Sequence, residues 1–387
     1  MQVGIDKIGF FTPNKYVDMV DLANARNEDP NKYLIGIGQR KMSVADQTQD
    51  AVSMGINATL RYWNKIEQDK VGLLVFGTES SVDQSKSASL FVKTALKMKP
   101  EVRTFEVKEA CFGLTAALMI ARDFVRVHPE QTAIVIGSDI ARYGIKTPGE
   151  VTQGAGAISM LIKSEPKILA LNDGHSAYSQ DINDFWRPND HSTALVEGKY
   201  STQVYLDFFK KTFDAYKEEK GWNTQDFSAI IYHLPFTKQG LKANRIAIED
   251  QDERTAERLM TNFDASKQFS MQVGNIYTAS LYMSLLSLLE NAELSHNALI
   301  GLFSYGSGAM AEFYSGNVID NYQRQLDPEG DQALLDRRSK LSIAEYEKIF
   351  NEALELPADG QELVSDDEAG YWYFARTQNH VRIYKQK

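Results

Sequence analysis

Cysteine is almost missing from this chain: Cys111 is the one thiol in 387 residues. A lone cysteine excludes an intrachain disulfide and any zinc site built on several thiolates. Histidine is scarce as well, with six. His175 and His191 fall in loop-like sequence with no metal-ligand spacing between them, and His128, His296 and His380 stand in polar surroundings. No stretch approaches the roughly 20 apolar residues that span a bilayer. The first residues, MQVGIDKIGFFTPNKYVDM, carry charges where a secretory signal needs an apolar run. A positive surplus is also lacking: the net charge of −10 argues against a general nucleic-acid surface. These deficits lead to the expectation of a cytoplasmic protein with neither membrane nor nucleic acid as partner.

What is present is ordinary globular material, 43% hydrophobic and 24% charged. The length suits two domains or two halves, each with its own core. Apolar runs alternate with amphipathic ones, the pattern of layered α/β structure. Strands are predicted over Val71–Gly77, Thr132–Gly137, Ala155–Ile162, Phe227–His233, Ala298–Phe303 and Ser307–Tyr314. "RTFEVKEA" also reads as a strand with a polar end. Helices are predicted over Gln47–Ile66, Ser85–Met98, Cys111–Val127, Thr237–Ile248, Glu253–Asn262 and Gly274–Asn291. The charged stretch Asp327–Lys340 and the acidic Pro357–Glu368 read as surface features.

The two halves can be laid over each other. An apolar strand ends in Glu79 ("VFGTES") and another in His233 ("IIYHLPF"). A helix then opens near Cys111 ("EACFGLTAAL") and another near Asn275 ("VGNIYTASLY"). A Gly-rich turn and strand follow each: "TQGAGAISM" and "SYGSGAMAEF". An ancient duplication is expected, with a boundary near Pro166, giving halves of residues 1–165 and 166–387.

Strand ends in open α/β sheets are where sites form. Free cysteine is among the most buried residue types, which makes a small core hydrophobe one reading of Cys111. Its place before an apolar helix makes a nucleophile the other, since helix N–H groups and the macrodipole lower a thiol pKa. Glu79 is either a cap or a partly desolvated acid/base. Asn275 is either a helix cap or an oxyanion donor. Lys238 and Lys242 are i,i+4 neighbours with Arg245 one turn on, either a solvated face or a phosphate-holding cluster. The Gly-rich turns lack the spacing of phosphate loops and read as tight turns near the site.

Taken as an ordered set, "GIDKIGFFTP", "DPNKYLIGIGQ", "GTESSVDQSKSA", "FEVKEACFG", "DIARYG", "TQGAGA", "DFWRP", "HLPFTKQGLKA", "VGNIYTASLY" and "GLFSYGSGA" resemble the bacterial type of the 3-hydroxy-3-methylglutaryl-CoA synthase family. The resemblance covers almost the whole chain. It implies an α/β thiolase-like fold of two duplicated halves with a layered α-β-α-β-α architecture. It implies an acyltransferase that condenses acetyl-CoA with acetoacetyl-CoA, with no cofactor beyond these thioesters, and a homodimer. By the same resemblance Cys111 carries the acyl group, Glu79 is the general acid/base, and His233 assists acyl transfer and orients the acceptor ketone. Asn275, Ser307, Tyr143, Thr152 and Ser201 would line the substrate site, and Lys238 and Lys242 would lie near the CoA moiety. The chain departs from the family pattern at Phe112, where a tyrosine is usual, and at Pro148 and Val151, which puts loop shape in question. Two other readings stand beside this one. A ketoacyl synthase would use Cys, His and Asn with no need of Glu79. A catalytically silent member of the fold would be free to lose all four. A thiolase proper would need a second cysteine.

Overall fold

The computed structural model describes residues 1–368 and 370–387. In chain order the principal elements of the first part are β1 (Val3–Phe11), α1 (Ala51–Trp63), β2 (Val71–Gly77), β3 (Arg103–Val107), α2 (Gly113–Val127), β4 (Thr132–Ala141) and β5 (Gly154–Ser164). There follow β6 (Leu169–Leu171), β7 (Ser176–Ser179), α3 (Gly198–Lys220), β8 (Ala229–Tyr232), α4 (Thr237–Ile248), α5 (Glu253–Ser266), α6 (Ser280–Asn291), β9 (Leu299–Gly306) and β10 (Met310–Val318). The chain closes with α7 (Pro328–Asp336), α8 (Ile343–Glu352) and a hairpin of β11 (Trp372–Gln378) and β12 (Val381–Gln386).

Ten strands form one sheet in the order β8-β9-β10-β6-β1-β5-β4-β2-β3, with β7 on β10. β1 runs antiparallel to β5, β5 antiparallel to β4, and β4 parallel to β2. β6 runs antiparallel to β10, β10 antiparallel to β9, and β9 parallel to β8. Order and direction therefore repeat, and the two sets meet where Gly4–Ile5 pairs with Ala170–Leu169. β2 corresponds to β8, α2 to α6 and β5 to β10, which are the units the sequence pattern aligns.

The period-two alternation of strands sorts side chains into layers. In β2 and β4, Leu73, Val75, Ala133 and Val135 face a core with Leu114, Leu118 and Leu285 from α2 and α6. Leu74, Phe76, Ile134 and Ile136 face the opposite way, onto α1. In the second set Ile231, Ile300 and Leu302 join the shared central core. Ile230, Tyr232 and Phe303 pack with Phe208, Phe209 and Phe213 of α3. Two helices thus lie in the middle, and helices cover both outer faces: α1 with Ala88 and Val92 on one, and α3 with Ala243 of α4 and Leu259 and Phe263 of α5 on the other. Each fully buried large aliphatic or aromatic side chain contributes about 1.5–3 kcal/mol, so this central layer fixes the helix starts that carry the site.

Several sequence expectations need correction. The strand predicted from Ser307 begins at Met310, because Ser307–Ala309 form the turn that leaves β9. The stretches 327–340 and 357–368 are not simply surface: Asp331, Leu334, Leu335, Arg338, Leu363 and Asp367 are buried, and Arg337 pairs with Asp367. α3, with 23 residues, and the terminal hairpin are absent from the sequence reading.

Candidate active site

Cys111 sits on a tight turn just before α2. Phe112 N–H donates to Glu109 O at 2.9 Å, and Ala110 takes a left-handed φ of +39°. The turn is pinched between the two halves. A Cβ on Gly77 would lie 2.6 Å from the carbonyl carbon of Gly113, and one on Gly306 would lie 2.6 Å from Glu109 O. Only glycine allows β2 and β9 to pass this close. The thiol is thereby fixed where the two central helices begin, and it is 9% exposed.

Glu79 follows β2 and accepts a hydrogen bond from Cys111 Sγ through Oε1 at 3.1 Å. Its backbone is anchored by Asp139, a fully buried residue of β4. Asp139 Oδ1 accepts from Thr78 Oγ1 (2.8 Å) and Glu79 N–H (2.9 Å). Its Oδ2 accepts from Thr278 N–H (3.1 Å) and Thr278 Oγ1 (2.6 Å), in the segment that enters α6. One carboxylate thus ties the acid/base candidate to the other half. Burial, then the Asp139 charge, push the Glu79 carboxyl up to about 8. Burial and the Glu79 carboxyl push the Cys111 thiol well above its usual range. This reverses the expectation of a thiol pKa lowered by the helix start, because desolvation and a neighbouring acid outweigh it.

His233 immediately follows β8 and is 2% exposed. Its N–H donates to Phe303 O (2.9 Å), and its carbonyl accepts from Tyr205 Oη (2.8 Å). Among the described residues Nδ1 has no partner. Burial lowers the imidazole pKa to about 3, so the ring is neutral near pH 7. The Asn275 side chain combines the two alternatives left open by the sequence. Oδ1 accepts from Tyr277 N–H (2.9 Å) and Ser280 Oγ (2.8 Å), serving the start of the helical segment. Nδ2 is thereby turned toward the Tyr143 hydroxyl, 3.2 Å away.

Cys111, His233, Asn275 and Tyr143 line one cavity of about 270 Å³. Thr152, Ser201 and Ser307 lie in its walls too. Lys238 and Lys242 do not. The same turn offers Pro235, Phe236 and Gln239 to the cavity, and Lys242 Nζ stands 5.9 Å from the centre of the Phe236 ring. Asp184 is a residue the sequence reading did not single out. Fully buried, it accepts from Tyr305 Oη (2.6 Å), Ser201 Oγ (3.1 Å) and Gly308 N–H (2.9 Å), bracing one wall. Among the described residues there is no cluster of three or more potential metal ligands, and no helix is long and apolar enough to cross a membrane.

The hydroxymethylglutaryl-coenzyme A synthase N-terminal family model matches residues 1–167, and the C-terminal model of that enzyme matches residues 247–382. The hydroxymethylglutaryl-CoA synthase of Enterococcus faecalis is 45% identical, with 100% of each chain covered. The chain belongs to the hydroxymethylglutaryl-CoA synthase family. A crystal structure of HMG-CoA synthase complexed with CoA matches all of both chains at a TM-score of 0.95 and 42% identity. MvaS in complex with 3-hydroxy-3-methylglutaryl coenzyme A matches at a TM-score of 0.91 and 35% identity, covering 100% of this chain and 99% of the other. This hydroxymethylglutaryl-CoA synthase family member therefore has the thiolase-like fold, and it is an acyl-transferring condensing enzyme.

Proposed function

We propose that the enzyme condenses acetyl-CoA with acetoacetyl-CoA and water to give 3-hydroxy-3-methylglutaryl-CoA and CoA, the condensation that feeds the mevalonate pathway. The observation that carries this reading is the 3.1 Å contact between Cys111 Sγ and Glu79 Oε1, beside a cavity that also holds His233 and Asn275.

Acetylation is a thiol exchange: the proton lost by Cys111 is gained by the departing CoA sulfur. A methyl proton of acetyl-Cys111 then passes to the Glu79 carboxylate, and the carbanion-like carbon attacks the acceptor ketone. The alkoxide so formed takes up a proton to become the 3-hydroxy group, and Glu79 gives up the methyl proton to solvent, which restores its carboxylate for hydrolysis. His233, neutral and unpaired at Nδ1, and Asn275 Nδ2 are the donors suited to the ketone oxygen as it becomes a tertiary alkoxide. Tyr143, Thr152, Ser201 and Ser307 shape the substrate cavity. Lys238 and Lys242 lie beside it and suit the CoA phosphates. A ketoacyl synthase makes its carbanion by decarboxylation and has no use for a carboxyl against the thiol, which favours the synthase reading. We read residues 1–165 and 166–387 as the two halves, working in the cytoplasm as a homodimer with CoA thioesters as the sole small-molecule requirement. The test is direct: both thioesters are supplied and products are separated by chromatography. Stoichiometric 3-hydroxy-3-methylglutaryl-CoA supports the proposal, and turnover of malonyl thioester instead overturns it.

A further inference from the structure

A second cavity, of about 380 Å³, reaches Glu79 separately from the one that holds Cys111. Its walls are mainly polar, with Ser80, Ser81, Gln84, Arg142, Asn189 and Ser192 among them, beside apolar Val82, Leu356 and Phe374. Arg187 also lines it and donates to the Glu79 carbonyl oxygen, which holds the Glu79 backbone in this wall. The Cys111 cavity has a different character, with Phe185, Val196, Pro235, Phe236 and Tyr305 in its walls. Glu79 belongs to the polar cavity and Cys111 to the apolar one, and their side chains meet at 3.1 Å.

The chemistry needs such a divide. If Cys111 is the acyl carrier, as proposed above, the last step consumes one water at the carbonyl carbon on Sγ. At that moment the condensed thioester occupies the apolar cavity and excludes solvent from it. The polar cavity stays open. A cavity of this size holds several waters, and its polar groups give them partners. We infer that the polar cavity is the solvent site and proton exit for the hydrolytic step, delivering water to Cys111 past Glu79. The water oxygen bonds to the acyl carbon while its proton passes to the Glu79 carboxylate. The carbon–sulfur bond breaks, the thiolate takes the proton back from Glu79, and the product acid releases its own proton to solvent through the same cavity.

Acetyl-enzyme provides the test, since its slow hydrolysis needs the same water. The enzyme is acetylated with acetyl-CoA and freed of excess reagent. Loss of acetyl from Cys111 is then followed by intact mass with and without saturating desulfo-CoA. Hydrolysis is expected to continue at an unchanged rate with desulfo-CoA bound. Abolition by desulfo-CoA would show that water enters by the CoA side and overturns the route. In Ser81→Trp and Ser192→Trp, which narrow the polar cavity, acetylation is expected to stay at the wild-type rate. Hydrolysis should slow by an order of magnitude, and the covalent condensation product should accumulate. Wild-type hydrolysis in folded variants overturns the route, and the desulfo-CoA comparison decides if neither variant folds. Failure of Cys111 to acetylate at all would remove the acyl-enzyme reading itself, an outcome distinct from both.

Discussion

Burial is the main force that keeps Glu79 and Cys111 un-ionised at rest. The Asp139 charge adds to it for the carboxyl, raised to about 8, while the Cys111 hydrogen bond works the other way; the Glu79 carboxyl adds to it for the thiol. The direction matters for rate. Carbon–carbon bond formation needs the carboxylate, whose fraction rises with pH up to and through 8, so the condensation rate should climb across that range and level off above it. Measuring condensation from pH 6 to 9 checks this, and a rate that falls over that interval would contradict it. Cys111→Ser keeps the shape but puts a far less ionisable hydroxyl in place of the thiol. Folded mutant protein should show no acetyl adduct and no turnover. That Glu79, Cys111, His233 and Asn275 are brought close together was legible because each lies near a strand end or helix start marked by an apolar run. Asp139 and Asp184 were not, since an aspartate that braces a wall from within the core looks like any loop acid until its donors are known.

The helix starts and strand ends do the positioning, and two elements can be probed separately. Asp139 links the end of β2 to the entrance of α6 by four accepted hydrogen bonds. Asp139→Asn places a donor where only donors face it, a cost of about 1–3 kcal/mol. It also removes the charge that helps raise Glu79, so the condensation pH limb should move to lower pH along with a loss of stability. An unmoved limb would mean that Asp139 serves structure alone. On α4, Lys238 and Lys242 stay outside the cavity wall, and neither forms an ion pair with a carboxylate of the described residues. Charge-assisted bonds to phosphate are worth about 1.5–3 kcal/mol each. Replacing both by Ala should therefore raise KM for CoA esters and largely spare kcat. Unchanged KM values would return the pair to a solvated helix face. The same scale shows where sequence reading ended. The buried face of α3 is Val204, Tyr205, Phe208, Phe209, Phe213 and Tyr216, interleaved with lysines and acids that dilute the helical signal. The burial of Arg337 with Asp367 depends on contacts between distant segments, which local pattern cannot reveal.

The repeated strand order makes the molecule a pair of related halves that share a core, because side chains from both sets of strands and from α2 and α6 form one cluster. Unfolding is therefore expected to be a single transition in denaturant, with far-UV circular dichroism and tryptophan fluorescence coincident. Of the four tryptophans, Trp63 lies in the first half and Trp186, Trp222 and Trp372 in the second, so fluorescence that departs from circular dichroism would reveal halves that melt independently. The duplication was legible as paired motifs, yet the seam between β1 and β6 and the tie through Asp139 became visible only in three dimensions. At this scale the central claim is a division of labour: the first half carries the acyl group and removes its proton, and the second receives the ketone. Glu79→Gln tests it most directly. The amide keeps the shape but cannot accept a proton. Acetyl transfer should survive while condensation falls by about 10²–10⁴-fold, the usual contribution of positioned proton transfer. The measurement is intact-protein mass spectrometry of the mutant after acetyl-CoA, before and after acetoacetyl-CoA, with product quantified in the same tube. The account predicts acetyl-Cys111 that persists on adding acetoacetyl-CoA. Discharge of the adduct into product at near wild-type rate would contradict it.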